Sequence, residues 1–176
     1  MKNNEIQIRV RLSAKQFRAY CAFDTFRIKR RHLPLLIITL TLFTLGMGAL
    51  LLIPRASTIA GVLIGLAIAV PMVVLGLYVI QIETLIARQG LKTEPEVYAI
   101  RLNDAGVTVS GLHRSGGSAE IPWPDLWAAY RDKGAVYLYV NEQRAFILPA
   151  GQANVDDDTL WSFLVAHMDS RCFAIK

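Results

Sequence analysis

The stretch EIQIRVRL, Glu5–Leu12, alternates without a break. Ile6, Ile8, Val10 and Leu12 fall on one side, and Glu5, Gln7, Arg9 and Arg11 on the other. Successive strand side chains point to opposite faces, so this pattern predicts a strand with one buried face. A single strand is not stable alone in water. It needs a sheet, and none follows directly. The next residues, SAKQFRAYCAFDTFRIKRR (Ser13–Arg31), read as a helix capped by Ser13, with Phe17, Tyr20 and Phe23 at helical spacing.

Two apolar runs come next. Leu33–Ile53 and Ala56–Ile82 hold no charged residue, and only Pro54 and Arg55 separate them. A bilayer core needs about 20 apolar residues in a helix. The runs therefore predict a transmembrane helical hairpin. A polar arm precedes the first run and a second run follows at once, which excludes a signal peptide. Arg27, Lys29, Arg30 and Arg31 stand before the hairpin, Arg55 alone in its turn, and Arg88 and Lys92 after it. The positive-inside rule then places both termini in the cytoplasm and the four-cation cluster at the membrane interface, against lipid headgroups. Gly61, Gly65 and Ala69 recur every fourth residue and predict a close-packing face, turned to the first helix of the hairpin or, as the alternative, to a second copy. Pro71 predicts a kink. Neither run contains Asp, Glu, Lys, Arg or His. Ion pathways and proton relays use such groups, which argues against a transporter.

The chain has 176 residues, 53% of them hydrophobic, and a formal charge of +5. Residues 1–32 carry nine Lys/Arg and two Asp/Glu, whereas residues 83–176 carry nine and twelve. The basic balance belongs to the N-terminal arm. The mildly acidic C-terminal part offers no basic face, so no nucleic-acid partner is expected. Cys21 and Cys172 form no CxxC pair and no disulfide framework. They read as free thiols, with no metal or cofactor expected.

After the membrane runs the period changes. EVYAIRL (Glu96–Leu102), GVTVSGL (Gly106–Leu112), SAEI, LWAAYRD, AVYLYV and RAFILP read as short strands. Turn signals such as NDAG, HRSGG, KG and NEQ separate them, which predicts an antiparallel meander. Glu5–Leu12 is predicted to join this sheet, the only one available. A last helix carries Leu160, Phe163, Leu164 and Met168 on one face. Asp156–Asp157–Asp158 before it reads as an N-cap on the helix dipole. In IPWPDL, Pro122 suits a strand end and Pro124 a turn start, with Trp123 extended between them. This is a corner between strands, with Trp123 plugging the open end of a small barrel or curved sheet. The parts are 1–32 (strand and amphipathic helix), 33–82 (hairpin, 33–53 and 56–82) and 95–176 (β domain with a C-terminal helix). The fold class is membrane α+β.

LNDAGVTVS, GSAEIPWPDL and AVYLYVNEQRAFILPAG, with the final short helix, resemble the YcxB-like family of bacterial membrane proteins. The resemblance covers nearly the whole chain. Its most specific part is Ile121–Pro149, with Ile121, Pro122, Trp123 and Pro149 as landmarks. It implies a C-terminal domain similar to a pleckstrin-homology-like domain, a small β-barrel capped by a helix, in a multi-pass protein of the bacterial inner membrane. Ala150 and Gly151 stand where a basic residue is common in the family. The resemblance brings no catalytic residues.

For an enzyme the candidates are His113, His167, Asp125 and Glu120, but no nucleophile–base pair is spelled out. Arg131, Lys133 and Arg144 near the strand turns could meet phosphate, yet Asp132 and Glu142 dilute them. The expected function is a membrane-anchored, non-catalytic interaction or scaffold module. Its expected partners are membrane lipids and a protein partner or a second copy. The alternatives are a small subunit of a membrane transport or signalling complex, or an undetected enzyme.

Overall fold

A computed structural model describes residues 5–53, 57–111, 117–132 and 134–173. The chain divides into two compact units: residues 1–20 with 90–176, and residues 21–89.

Among the described residues the first unit is built on seven strands. β1 (Ile6–Arg11), β2 (Glu96–Asn103), β3 (Gly106–Gly111) and β4 (Ser118–Pro122) form one antiparallel sheet in that order. β5 (Ala128–Asp132), β6 (Ala135–Asn141) and β7 (Arg144–Pro149) form the other. The N-terminal strand is where its alternation put it. Gln7 lies opposite Arg101, Ile8 opposite Ile100 and Val10 opposite Tyr98. Ile6, Ile8, Val10 and Leu12 are all buried.

The two sheets do not close into a barrel; no ladder among the described residues joins them. The edges that would close it are occupied by side chains instead. The Gln152 amide accepts from the Arg11 N–H (2.8 Å) and donates to the Arg11 carbonyl (2.8 Å). Asn154 Oδ1 accepts from the Gln7 N–H (3.0 Å), and its own N–H donates to the Gln7 carbonyl (3.1 Å). A short loop thus finishes the outer edge of β1, which would otherwise stay open to pairing. At β7 the Tyr98 hydroxyl donates to the Ile147 carbonyl (3.0 Å) and accepts from the Ile147 N–H (2.9 Å). Burial pushes the Tyr98 phenol up to about 12, against the opposing pull of that backbone bond.

Between the sheets lies the core: Ile8, Val10, Ile100, Leu102, Val136, Leu138 and Leu148. Leu160 and Leu164 of α4 (Asp157–His167) complete it. β6 is buried on both faces. Val136 and Leu138 point into the core, while Tyr137 and Tyr139 meet Tyr20 at ring distances of 5.4 and 6.5 Å. Tyr20 belongs to α1 (Ala14–Ala22), whose start is a capping box: Ser13 Oγ accepts from the Gln16 N–H, and Gln16 Oε1 accepts from the Ser13 N–H. The acidic run before α4 is consumed structurally. Asp156 caps Thr159, Asp157 accepts from the Gly151 N–H, and Asp158 pairs with Arg131 at 2.6 Å.

The second unit holds a π-helical segment (Phe23–Ile28), α2 (His32–Leu52) and α3 (Ser57–Gln89). α2 and α3 are both long and apolar enough to cross a membrane, and most of their side chains are exposed. Helix α3 continues through Pro71 without interruption.

Candidate membrane-interface site

The second unit carries the cation cluster. The π-helical segment ends at Lys29, and Arg30 takes the left-handed conformation (φ 46°). This reverses the chain. The Arg31 N–H closes back on the Thr25 carbonyl (3.1 Å), and α2 starts one residue later. Glycine is the residue for such a position; an L side chain there costs about 1–2 kcal/mol. Lys29 bonds Asp24 Oδ2 at 2.7 Å, and both side chains are largely covered. Arg27 lies over the Phe23 ring at 5.9 Å. Arg27, Arg30 and Arg31 are exposed, and none forms an ion pair among the described residues. The sequence placed four equivalent cations here; the structure separates one largely covered Lys from three exposed Arg. Phe26, beside them, touches the rings of His32 (5.8 Å) and Tyr78 (5.9 Å). That contact sets Tyr78 of α3 level with the first residue of α2, so the helices run antiparallel.

The small-residue stripe on α3 needs correction. Gly61, Gly65 and Ala69 are exposed, and a Cβ added at Gly61 or Gly65 would meet nothing within 4 Å. The face turned to α2 carries Ala60, Leu63 and Ile64, with buried Ala67 one turn on. It is met by Gly46, where an added Cβ would lie 2.8 Å from Ile64 Cγ1 and 3.3 Å from the Ala60 carbonyl oxygen. One residue is about 100° of rotation, so a stripe shifted by one position looks to the side. In helices apolar all round, spacing alone does not choose the contacting face.

The sequence landmarks converge at one corner of the first unit. Gly106 lies opposite Pro122, and a Cβ there would run into the Ile121 carbonyl oxygen and come within 3.0 Å of Pro122 Cα. Asn103 Oδ1 accepts from the N–H groups of Ala105 and Gly106, both at 2.9 Å, which shapes the turn. Trp123 begins a 3-10 turn (Trp123–Asp125) rather than lying extended. It is buried, and its indole N–H donates to the Asn103 carbonyl at 3.0 Å. The corner is a packing device, as its residues predicted, and it carries the chain from one sheet to the other. Pro149 closes β7, opposite Ala135.

The titratable candidates stay apart. Glu120 and Asp125 are exposed on separate elements, and His113 lies outside the described residues, as does Lys133. His167 is half-buried. One ring nitrogen meets the Phe163 carbonyl at 2.9 Å, the other an exposed Asp104 carboxylate at 3.3 Å, and Trp123 and Phe163 flank the ring. This arrangement anchors the end of α4 to the β2–β3 turn and places no nucleophile beside the imidazole. Burial pushes the Cys21 thiol up to about 11, with Asp24 adding to the effect and Lys29 opposing it. The thiolate needed for nucleophilic chemistry is therefore disfavoured. Among the described residues no His/Cys/Asp/Glu group could hold a metal ion.

Comparison with known families matches a stretch of the first unit. Residues 102–152 are YcxB-like. The family model, described as YcxB-like protein, covers β3 to β7 and the landmark corner. This bears out the resemblance read from those residues, over a narrower stretch than the sequence reading gave it. No curated protein matches, and neither does any solved structure.

Proposed function

We propose that the chain is a membrane-anchored, non-catalytic interaction or scaffold module. In this reading α2 and α3 cross the bacterial inner membrane, both termini lie in the cytoplasm, and the YcxB-like unit is a pleckstrin-homology-like domain that binds a protein partner or a second copy. The observation that carries the proposal is the pairing of β1 with β2. These strands flank the helix pair in sequence, and they lie side by side in one sheet. Two spans between them return the chain to the side it left, so one folded domain can hold both ends of a hairpin. Helix α2, at about 1.5 Å per residue, is about 30 Å long, which matches a hydrocarbon core. Phe26, His32 and Tyr78 then fall at the headgroup level, where amphipathic rings are favoured. Seven antiparallel strands with a helix against the core support the domain reading.

Alkaline carbonate extraction and reporter fusions at each terminus test the anchor. Retention in the pellet with cytoplasmic signals from both ends is expected; release into the supernatant, or a periplasmic signal, contradicts it. Copurification with the full-length chain from native membranes tests the scaffold role. A stoichiometric protein partner or homo-oligomer is expected. A monomer that turns over a substrate would overturn it.

A further inference from the structure

Resting on the membrane reading above, we infer that Arg27, Arg30 and Arg31, and not Lys29, form a contact surface for the phosphate headgroups of anionic lipids. Three observations converge. First, Lys29 is spent inside the protein: Asp24 neutralises it at 2.7 Å, and both side chains are largely covered. The surrounding charge then reduces to three arginines with no ion pair among the described residues. Second, all three are exposed and lie within five residues of one another, at the turn where the chain enters α2. Third, the turn residue itself is Arg30 at φ 46°, where glycine would fit without strain. A charged side chain thus occupies a backbone conformation that favours glycine. Guanidinium groups bind phosphate in a bidentate manner and are weakly hydrated, which suits them to a headgroup layer. Beside them Phe26 is exposed next to His32 and Tyr78, an aromatic rim of the kind that sits at headgroup depth. The cluster thus divides into a structural Lys29–Asp24 pair and a lipid-facing arginine group.

The test uses the full chain purified in a neutral detergent and titrated with phosphatidylglycerol, with phosphatidylcholine of the same chain length, and with inorganic phosphate. Binding is read by native mass spectrometry and thermal stability in parallel. Wild type should bind phosphatidylglycerol over phosphatidylcholine. Each arginine removed should weaken that binding about fivefold, from about 1 kcal/mol per juxtamembrane charge. Arg30→Gly separates charge from backbone: its stability in neutral detergent should hold or rise while lipid binding falls. Lys29→Gln should do the reverse, losing stability because the largely covered ion pair with Asp24 is removed, and keeping the lipid preference. Equal binding of the two lipids, an equal response to inorganic phosphate alone, unchanged binding by Arg30→Gly/Arg31→Gln, or loss of binding in Lys29→Gln would each overturn the assignment. Carbonate extraction of wild type separates the two levels. A chain that stays in the membrane without a lipid preference refutes this surface only, and a chain that is released refutes the anchor as well.

Discussion

The strand β1 and the helix α3 both present a regular pattern to the reader, and their fates differ. In β1 every second residue is polar, and burial follows the letter of the sequence, buried and exposed in turn. In α3 nearly every residue up to Ile82 is apolar, and the regular Gly61–Gly65–Ala69 row turned out to face away from its partner helix. In the membrane reading proposed above, the difference lies in the solvent each element was made for. A strand at a water boundary must sort its side chains, so its pattern states its orientation. A helix surrounded by apolar material need not sort them. Its contact face is then chosen by fit, here by Gly46 receiving Ile64 and Leu63.

The largest expected effect lies on the β1 side. Ile8 is 1% exposed, with Ile100 opposite. Ile8→Asp buries an unpaired carboxylate and should cost more than about 4 kcal/mol. Limited proteolysis should then cut the 90–176 region readily, although the mutation lies before the helices in sequence. Unchanged protection would break the claim that β1 belongs to that core.

A pair of substitutions sharpens the comparison on the helix side. Gly46→Leu forces side chain into Ala60 and Ile64 and should destabilise the helix pair by about 1–3 kcal/mol, read from thermal unfolding in detergent. Gly61→Leu/Gly65→Leu should leave that midpoint unchanged. If the Gly61/Gly65 variant instead loses a crosslinked dimer, that face packs between copies.

A smaller effect is expected at the closed edge of β7. Tyr98→Phe leaves the N–H and carbonyl of Ile147 without their partner, a loss of about 1–3 kcal/mol in urea unfolding. The phenol is raised in the folded state, so its contribution is complete below its unfolded value near 10. It fades as pH rises from there towards about 12. Wild type should therefore lose stability over that alkaline window, and Tyr98→Phe should lose less.

Much of this architecture was legible in the sequence. Alternation located β1, turn residues located the meander, and the uncharged runs located α2 and α3. The Asp156 cap and the Trp123 corner were legible because capping and proline act locally. What could not be read depends on contacts across long sequence separations. Gln152 and Asn154 looked like ordinary loop residues, yet they finish the edge of β1. Tyr20 reads as one ring of an amphipathic helix, and only the fold shows that it covers the second face of β6. The four cations were visible as a cluster, but their division needed the Lys29–Asp24 distance.

The central claim is that residues on either side of the helix pair build one sheet, and cysteine crosslinking across β1 and β2 tests it most directly. Gln7 and Arg101 are exposed and lie opposite one another. The Gln7 backbone bonds Asn154 on its other side, so Gln7 and Arg101 make a non-hydrogen-bonded pair, whose side chains come closest in an antiparallel ladder. In a chain with Cys21 and Cys172 replaced by Ser, Gln7→Cys/Arg101→Cys should form a disulfide rapidly under mild oxidation in native membranes, and Gln7→Cys/Glu142→Cys should not. Failure of the first pair to crosslink, with the 90–176 region still resistant to protease after residues 1–12 are removed, would show that the strand is not part of the sheet.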